Sequence, residues 1–110
     1  MNKISFLGEF EQMVLLAILR LSDDAYGMSI RAELEDRAGR SVSRSATYIT
    51  LERLIRKGYL TARMGNASPQ RDGRSRRYFA LTNAGREALK ASGRALRNLW
   101  VGHESLLDET

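Results

Sequence analysis

The sequence predicts a mainly α-helical protein with one small β-hairpin, and three observations support this prediction. Apolar residues recur at helical spacing in four segments, whereas two short segments between residues 59 and 81 alternate with a period of two. Ser, Thr and Gly residues stand at the ends of these segments, where they can cap helices or close turns. The 110 residues fit one domain, and 43% hydrophobic residues suffice for a modest core.

The first two helices follow from apolar periodicity. Helix one is predicted over residues 8–21, where apolar side chains occupy nearly every side of the helix. Such a helix needs cover all round, and in so small a domain we expect part of that cover from a second subunit. A polar turn follows, and helix two is predicted over residues 27–38, ending near Gly39.

The third helix is predicted over residues 44–57. Ser43 is placed to cap its first turn, and Gly58 can supply the left-handed residue that closes it. With about 100° per residue, the side predicted to face the core holds Thr47, Tyr48, Leu51, Leu54 and Ile55. The side predicted to face outward holds Ser45, Ala46, Ile49, Arg53 and Arg56.

A hairpin and a last helix complete the chain. Strands are predicted over residues 59–64 and 76–81, and the polar loop between them, which contains the only proline, is predicted to be a mobile wing. Thr82 can cap a last helix whose apolar stripe ends near Trp100. The prediction is a winged helix-turn-helix over residues 1–81, a C-terminal dimerisation helix over residues 82–101 and a frayed tail over residues 102–110.

The charge distribution favours duplex DNA as the partner. Residues 37–78 contain eleven Arg or Lys against two acids, whereas the first 36 residues contain seven acids and three bases. The formal charge of +5 and the pI near 10.1 agree with a polyanionic partner. A helix followed by a basic hairpin suits a double helix, because the helix can fill a major groove while the hairpin arginines reach flanking phosphates.

Several other functions have no support in the composition. With no cysteine and one histidine, His103, the chain offers no thiolate chemistry and no histidine pair for a metal. We find no nucleophile with a base and no glycine-rich phosphate loop, so we expect no enzymatic activity, cofactor or metal. The longest apolar run, residues 13–19, is too short to span a bilayer. We therefore expect a cytoplasmic protein without a membrane partner.

Candidate DNA-binding residues lie in the third helix and the wing. The first turns of a recognition helix meet base edges and phosphates, so the candidates there are Ser43, Arg44, Ser45, Thr47 and Tyr48. Arg44 either contacts a guanine or positions a phosphate, and both readings stay open. Phosphate contacts are expected lower on the helix from Arg53, Arg56 and Lys57. Contacts to phosphates or a minor groove are expected from the wing residues Arg71, Arg74, Arg76 and Arg77.

Six short motifs, in order, resemble those of one family of regulators. They are LGEFE at residues 7–11, AYGM at 25–28, YITLERL at 48–54, KGYL at 57–60, GRSRRYF at 73–79 and LTNAG at 81–85. Together they are similar to the PadR family of bacterial transcriptional regulators, over residues 7–100. This chain resembles the branch with a single helix after the wing.

The resemblance implies a homodimer whose last helix packs on the partner's first and last helices. The residues expected at that interface are Phe10, Val14, Leu89, Leu96, Leu99 and Trp100. It also implies a repressor that a small aromatic or hydrophobic effector releases from a pseudo-palindromic operator in double-stranded DNA. Trp100 either closes the dimer core or stacks on a flat effector. The alternative function is a winged-helix module that contacts protein or RNA without binding an operator.

Overall fold

The computed structural model describes residues 6–65, 71, 73 and 75–110. Within these residues the chain forms α1 (Glu9–Leu21), α2 (Gly27–Ala38), α3 (Arg44–Arg56), β1 (Leu60–Met64), β2 (Arg77–Leu81) and α4 (Asn83–Trp100). Two short 3-10 turns accompany them, at Ser22–Asp24 and at Glu104–Asp108 in the exposed tail that the sequence predicts to be frayed. The predicted class, a mainly α-helical winged helix-turn-helix, is confirmed.

Local capping chemistry sets the ends of these helices. The Ser43 hydroxyl accepts a hydrogen bond from the Ala46 N–H at 3.1 Å, as predicted for the start of α3. Gly58, with φ of 81°, provides the left-handed residue after α3. Thr82 accepts from the Gly85 N–H at 3.0 Å and donates to the Gly58 carbonyl at 2.6 Å. Thr82 therefore caps α4 and also attaches it to the turn that ends α3.

The core lies between the first three helices and one face of the hairpin. Its fully buried side chains include Val14 and Leu15 of α1, Ile30 of α2 and Leu51 of α3. Tyr48 and Ile55, predicted to face the core, are only half-buried, and the buried set of α3 instead contains Thr47, Thr50, Leu51 and Leu54. The inward side of α3 is therefore rotated slightly from the predicted one.

The hairpin is attached to the start of α2 as well as to α3. Its two strands pair antiparallel, with Leu60 opposite Leu81 and Arg63 opposite Tyr78. The Phe79 N–H donates to the Ala25 carbonyl at 2.9 Å, and Tyr26 forms an isolated bridge with Tyr78. These bonds place the first turn of α2 beside β2, at the same edge as the wing.

The helix α4 packs closely on the domain through its first half. Gly85 is buried, and a Cβ added there would overlap the Tyr59 carbonyl oxygen and approach its carbonyl carbon to 3.0 Å. Two turns further on, the buried Ser92 hydroxyl accepts a hydrogen bond from the Leu7 N–H at 2.9 Å. Beyond this contact Leu96 and Leu99 are exposed.

One acidic side chain, Glu11, is buried in α1. Its carboxylate accepts hydrogen bonds from Lys57 Nζ at 2.7 Å and from the Gly8 N–H at 3.1 Å. Burial alone would raise the pKa of Glu11, but these hydrogen bonds and the charges of Lys57 and Arg53 outweigh it and hold the pKa below its ordinary value of 4.5. The ion pair joins the start of α1 to the end of α3.

Glu11→Gln is expected to lower the free energy of unfolding by about 1–2 kcal/mol at pH 7. Because folding depresses the pKa of Glu11, its stabilisation is complete above the unfolded pKa and is lost as the pH falls through the folded pKa. Urea unfolding should therefore show a gap between wild type and variant that closes below about pH 4.5.

Glu9→Gln is the matched control, because Glu9 pairs with Arg40 on the surface and its side chain is 75% exposed. We expect a change of no more than about 0.5 kcal/mol. A Glu11→Gln gap that stays constant from neutral to acid pH would show that the carboxylate charge does not supply the stability.

Candidate nucleic-acid interface

The helix α3 presents a continuous exposed side away from the core. Its four buried residues all point inward, and the opposite side is formed by the exposed residues Ser45, Ile49, Arg53 and Arg56. Arg44 stands exposed at the first turn, directly after the capping residue. An uncovered helix with arginines along it has the shape and charge to enter a major groove.

A cleft of about 590 Å³ lies beside α3, between the start of α2 and the hairpin. Its basic and aromatic lining consists of Tyr26, Arg31, Arg44, Tyr48, Arg71, Arg76 and Arg77. The structure therefore brings together five residues that the sequence predicts to bind DNA, one pair from α3 and three from the wing. Arg74, predicted with them, lies outside the described residues.

Tyrosine rings stack on two arginines of the hairpin region, one in the wing and one on β1. The Arg76 guanidinium lies 3.9 Å from the ring centroid of Tyr26, and that of Arg63 lies 4.7 Å from the centroid of Tyr78. The two rings meet edge to face, with their centroids 5.8 Å apart. A guanidinium stacked on a ring keeps its N–H edge available for a phosphate.

Sequence reasoning missed the stacking partners in this group. It gave no DNA-binding role to Tyr26, Arg63 or Tyr78. The available signal was the hairpin register, since Arg63 and Tyr78 become directly opposed once β1 and β2 are aligned. Tyr26 could not be placed there from sequence, because it joins the hairpin through an isolated bridge.

Tyr48 lies between the core and the cleft. Its ring packs on Gly27, where an added Cβ would lie 3.2 Å from the Tyr48 hydroxyl oxygen. The Arg44 guanidinium lies 5.9 Å from the centroid of the same ring. Gly27 therefore allows the close approach of α3 to α2, and Tyr48 supports Arg44 at the mouth of the cleft.

Ion pairs separate the basic residues into two groups. Away from the cleft, Arg40 pairs with Glu9 at 2.8 Å and Arg37 pairs with Glu33 at 3.0 Å. Lys57 was predicted to contact phosphate, but it is paired with the buried Glu11, which corrects that expectation. Within the described part of the chain, no carboxylate lies within ion-pair distance of Arg44, Arg56 or Arg63. Acids from the first helices thus neutralise bases elsewhere and leave positive charge around α3 and the hairpin.

Arg77 differs from the other arginines of the cleft. It forms an ion pair with Glu52 of α3, and its guanidinium also lies 5.2 Å from the Phe79 ring centroid. The side chains of Arg77 and Glu52 are 34% and 45% exposed. This pair attaches β2 to the recognition helix and cancels a negative charge on the exposed side of α3.

The six residues predicted for a dimer interface fall into two groups. Val14 and Leu89 are buried within this chain, so they pack beneath the surface of α1 and α4 and are not exposed on it. Leu96 and Leu99 are 48% and 78% exposed, while Phe10 and Trp100 are half-buried. Leu16 and Leu19 of α1 are also exposed, which leaves the predicted all-round cover of α1 incomplete within one subunit.

Comparison with known proteins identifies the family. The model of the transcriptional regulator PadR-like family matches residues 15–91. This chain belongs to the PadR-like family of transcriptional regulators. The match runs from the middle of α1 to the middle of α4 and includes all of α2, α3 and the hairpin, and it makes the protein a DNA-binding regulator. No curated protein matches the sequence.

Solved structures of transcriptional regulators share the fold. A PadR family transcription regulator from Clostridium difficile R20291 is 22% identical, with a TM-score of 0.69 over 89% of this chain and 98% of its own. A PadR-like regulator from Bacillus cereus is 21% identical, with a TM-score of 0.71 over 92% and 93% of the two chains. A Streptococcus transcriptional regulator is 26% identical, with a TM-score of 0.69 over 88% and 90%.

Two features are absent from the described residues. No group of three acidic or histidine side chains is arranged to hold a metal ion among them. Nor does any helix of that part of the chain combine the length and the apolarity needed to cross a membrane.

Proposed function

We propose that this PadR-family regulator is a homodimeric repressor that binds a pseudo-palindromic operator in double-stranded DNA. The observation that supports this proposal is the convergence of Arg44, Arg71 and Arg76 on one cleft beside the exposed side of α3. In this arrangement α3 enters the major groove and the cleft receives the adjacent sugar-phosphate backbone.

The proposed contacts follow from position. Ser43, Arg44 and Ser45 begin α3, where free N–H groups and the guanidinium fork meet a phosphate or a guanine edge. Tyr48 supports Arg44 through its ring, whereas the buried Thr47 donates to the Ser43 carbonyl at 2.9 Å and only stabilises the cap. Phosphate contacts come from the remaining arginines of α3 and the wing, which are Arg53, Arg56, Arg71, Arg74 and Arg76.

The homodimer is supported by the exposed apolar side chains of α1 and α4. Leu96 and Leu99 extend an apolar stripe past the part of α4 that packs on its own subunit, and Leu16 is 50% exposed on α1. Two-fold pairing through these residues would present two copies of α3 to successive major grooves, with half-sites about 10 bp apart or a multiple of that spacing.

An effector would act on this dimer. Trp100 is half-buried at the end of the same stripe, where a small aromatic or hydrophobic molecule could bind between subunits. Such a molecule releases DNA only if it favours a dimer in which the two recognition helices no longer match the groove spacing.

The alternative, a winged module that contacts protein or RNA, explains the fold but not the charge. Arg31, Arg44 and Arg76 line the cleft, and within the described residues no carboxylate lies within ion-pair distance of Arg44. The centres of protein interfaces are depleted in charged residues.

Selection of bound sequences from a random DNA duplex pool tests the proposal. We expect an enriched palindrome whose binding weakens with salt, with a log-log slope of about −0.9 per neutralised phosphate. Arg44→Ala should relax the sequence preference if Arg44 contacts a base, whereas Arg74→Ala should weaken all sequences about equally. No enrichment together with a flat salt response would contradict operator binding.

Arg77→Ala is expected to lower operator affinity by about ten-fold. Most of this loss should come from the unpaired charge of Glu52, and less of it from a lost contact between Arg77 and DNA. Without Arg77, the Glu52 carboxylate stays unpaired on the side of α3 that faces the DNA phosphates. The double variant Arg77→Ala/Glu52→Gln should therefore regain most of the affinity, as measured by fluorescence anisotropy at one salt concentration.

Glu52→Gln alone is the control, and it should bind within about two-fold of wild type because Arg77 already neutralises Glu52. If the double variant binds as weakly as Arg77→Ala, Arg77 contacts the DNA directly.

A further inference from the structure

Ile49 is an apolar side chain in the middle of the proposed DNA-binding side of α3. It is 59% exposed, although its neighbours along the helix are polar or charged. Ser45 precedes it by four residues and Arg53 follows it by four, so these three form one exposed row. At about 100° per residue, Ile49 points about 150° away from the mean direction of the four buried residues.

This position excludes a role in the core of the subunit. The hydrophobic core contains Leu51 and Leu54 from α3, with Ile55 packed at its edge, but not Ile49. Ile49 is also absent from the lining of the cleft, which takes Arg44 and Tyr48 from the same helix. It therefore stands on the outermost line of α3, where a duplex would approach first.

The surrounding charge identifies the kind of surface that covers Ile49. Arg53 and Arg56 are exposed on the same side, and Arg44 stands one and a half turns earlier. A wholly apolar protein groove would bury those guanidinium groups without partners, which is costly. A major groove supplies phosphates at its edges and one apolar group on its floor, the 5-methyl group of thymine.

We propose that Ile49 contacts the 5-methyl group of a thymine in the operator. Arg44 and Ile49 are five residues apart, which is about 7.5 Å along the helix axis. The thymine therefore lies within about two or three base pairs of the position that Arg44 contacts. This inference rests on the proposed operator binding and adds a base preference to it.

The contact predicts a specific response to removal of one methyl group. In the operator obtained by selection, deoxyuridine replaces thymine at one position at a time, which deletes the methyl group and keeps every hydrogen-bonding group. For the wild-type dimer, we expect one symmetric pair of positions at which this replacement weakens binding by about four-fold per half-site. A 5-methylcytosine presents the same group, so unmethylated cytosine at that position should bind more weakly than 5-methylcytosine.

Ile49→Ala removes the protein side of the proposed contact, so it completes a double-mutant cycle with the deoxyuridine replacement. It should bind the thymine operator more weakly than wild type does and should not distinguish deoxyuridine from thymine at the same position. Leu106→Ala is the matched control, because Leu106 is a similarly exposed apolar residue, 57% exposed, in the C-terminal tail away from the cleft. This control should retain the full response to deoxyuridine. Since Ile49 is exposed, Ile49→Ala should fold normally, which a thermal melt checks.

The outcomes separate this inference from the proposed function. If wild type binds the operator tightly but no deoxyuridine replacement weakens it, the methyl contact is wrong and operator binding stands. The same conclusion holds if Ile49→Ala keeps the full response to deoxyuridine. If the wild-type protein selects no sequence, both proposals fail together.

Discussion

Leu99→Glu is expected to convert the homodimer into a monomer and to weaken operator binding by at least about 100-fold. Leu99 is 78% exposed on α4 next to Leu96, so in the proposed dimer its side chain is buried against the second copy. A carboxylate at this position would be buried without a partner, twice in each dimer because of the symmetry. Light scattering after size exclusion measures the mass, and anisotropy measures binding to the selected operator.

Asn98→Glu is the matched control for this variant. It adds the same charge one residue earlier, about 100° around the helix, at an exposed position. It should remain dimeric and bind nearly as well as wild type. If Leu99→Glu also stays dimeric, α4 does not form the interface through its apolar stripe.

Gly85→Ala is expected to destabilise the protein by about 3 kcal/mol. The added methyl group would overlap the Tyr59 carbonyl oxygen, which belongs to the backbone and cannot move aside as a flexible side chain could. The helix α4 would have to shift away from Tyr59, which directly precedes β1, and this shift also strains the hydrogen bonds that Thr82 makes at the cap of α4. Urea unfolding at a fixed protein concentration measures the loss.

Gly93→Ala is the control in the same helix. Gly93 is exposed, and an added Cβ meets no atom within 4 Å, so the variant should gain about 0.5–1 kcal/mol from the better helix propensity of alanine. Equal effects at the two glycines would show that helix propensity, rather than contact with Tyr59, determines the result. Gly85 belongs to the LTNAG motif, and the contact with Tyr59 gives a physical reason for glycine there.

The element order and the ends of the helices could be predicted because they depend on neighbouring residues. Ser43 and Thr82 cap the helices that directly follow them, and Gly58 closes the helix that directly precedes it. Apolar periodicity located the buried side of α3 only approximately, since Thr50 is buried while Tyr48 stays half-exposed beside the cleft. That difference depends on how α2 and α3 meet at Gly27, which local periodicity does not encode.

The role of each basic residue could not be assigned from sequence, because its partners are distant along the chain. Lys57 pairs with Glu11 across 46 residues, and Arg77 pairs with Glu52 across 25 residues. Arg76 stacks on Tyr26, 50 residues earlier. Each of these contacts neutralises or orients one positive charge. A count of basic residues along the sequence treats all of these charges as equivalent.

The sequence by itself determined that the chain is a PadR-type winged helix with its positive charge concentrated in the middle third, because motifs, caps and periodicity are local properties. Only the tertiary structure decided which arginines remain available beside α3, that two tyrosines stack on Arg63 and Arg76, and that Ile49 lies outermost on α3. These features depend on packing between elements far apart in the chain, and such packing exists only once the hairpin, α2 and α3 have come together.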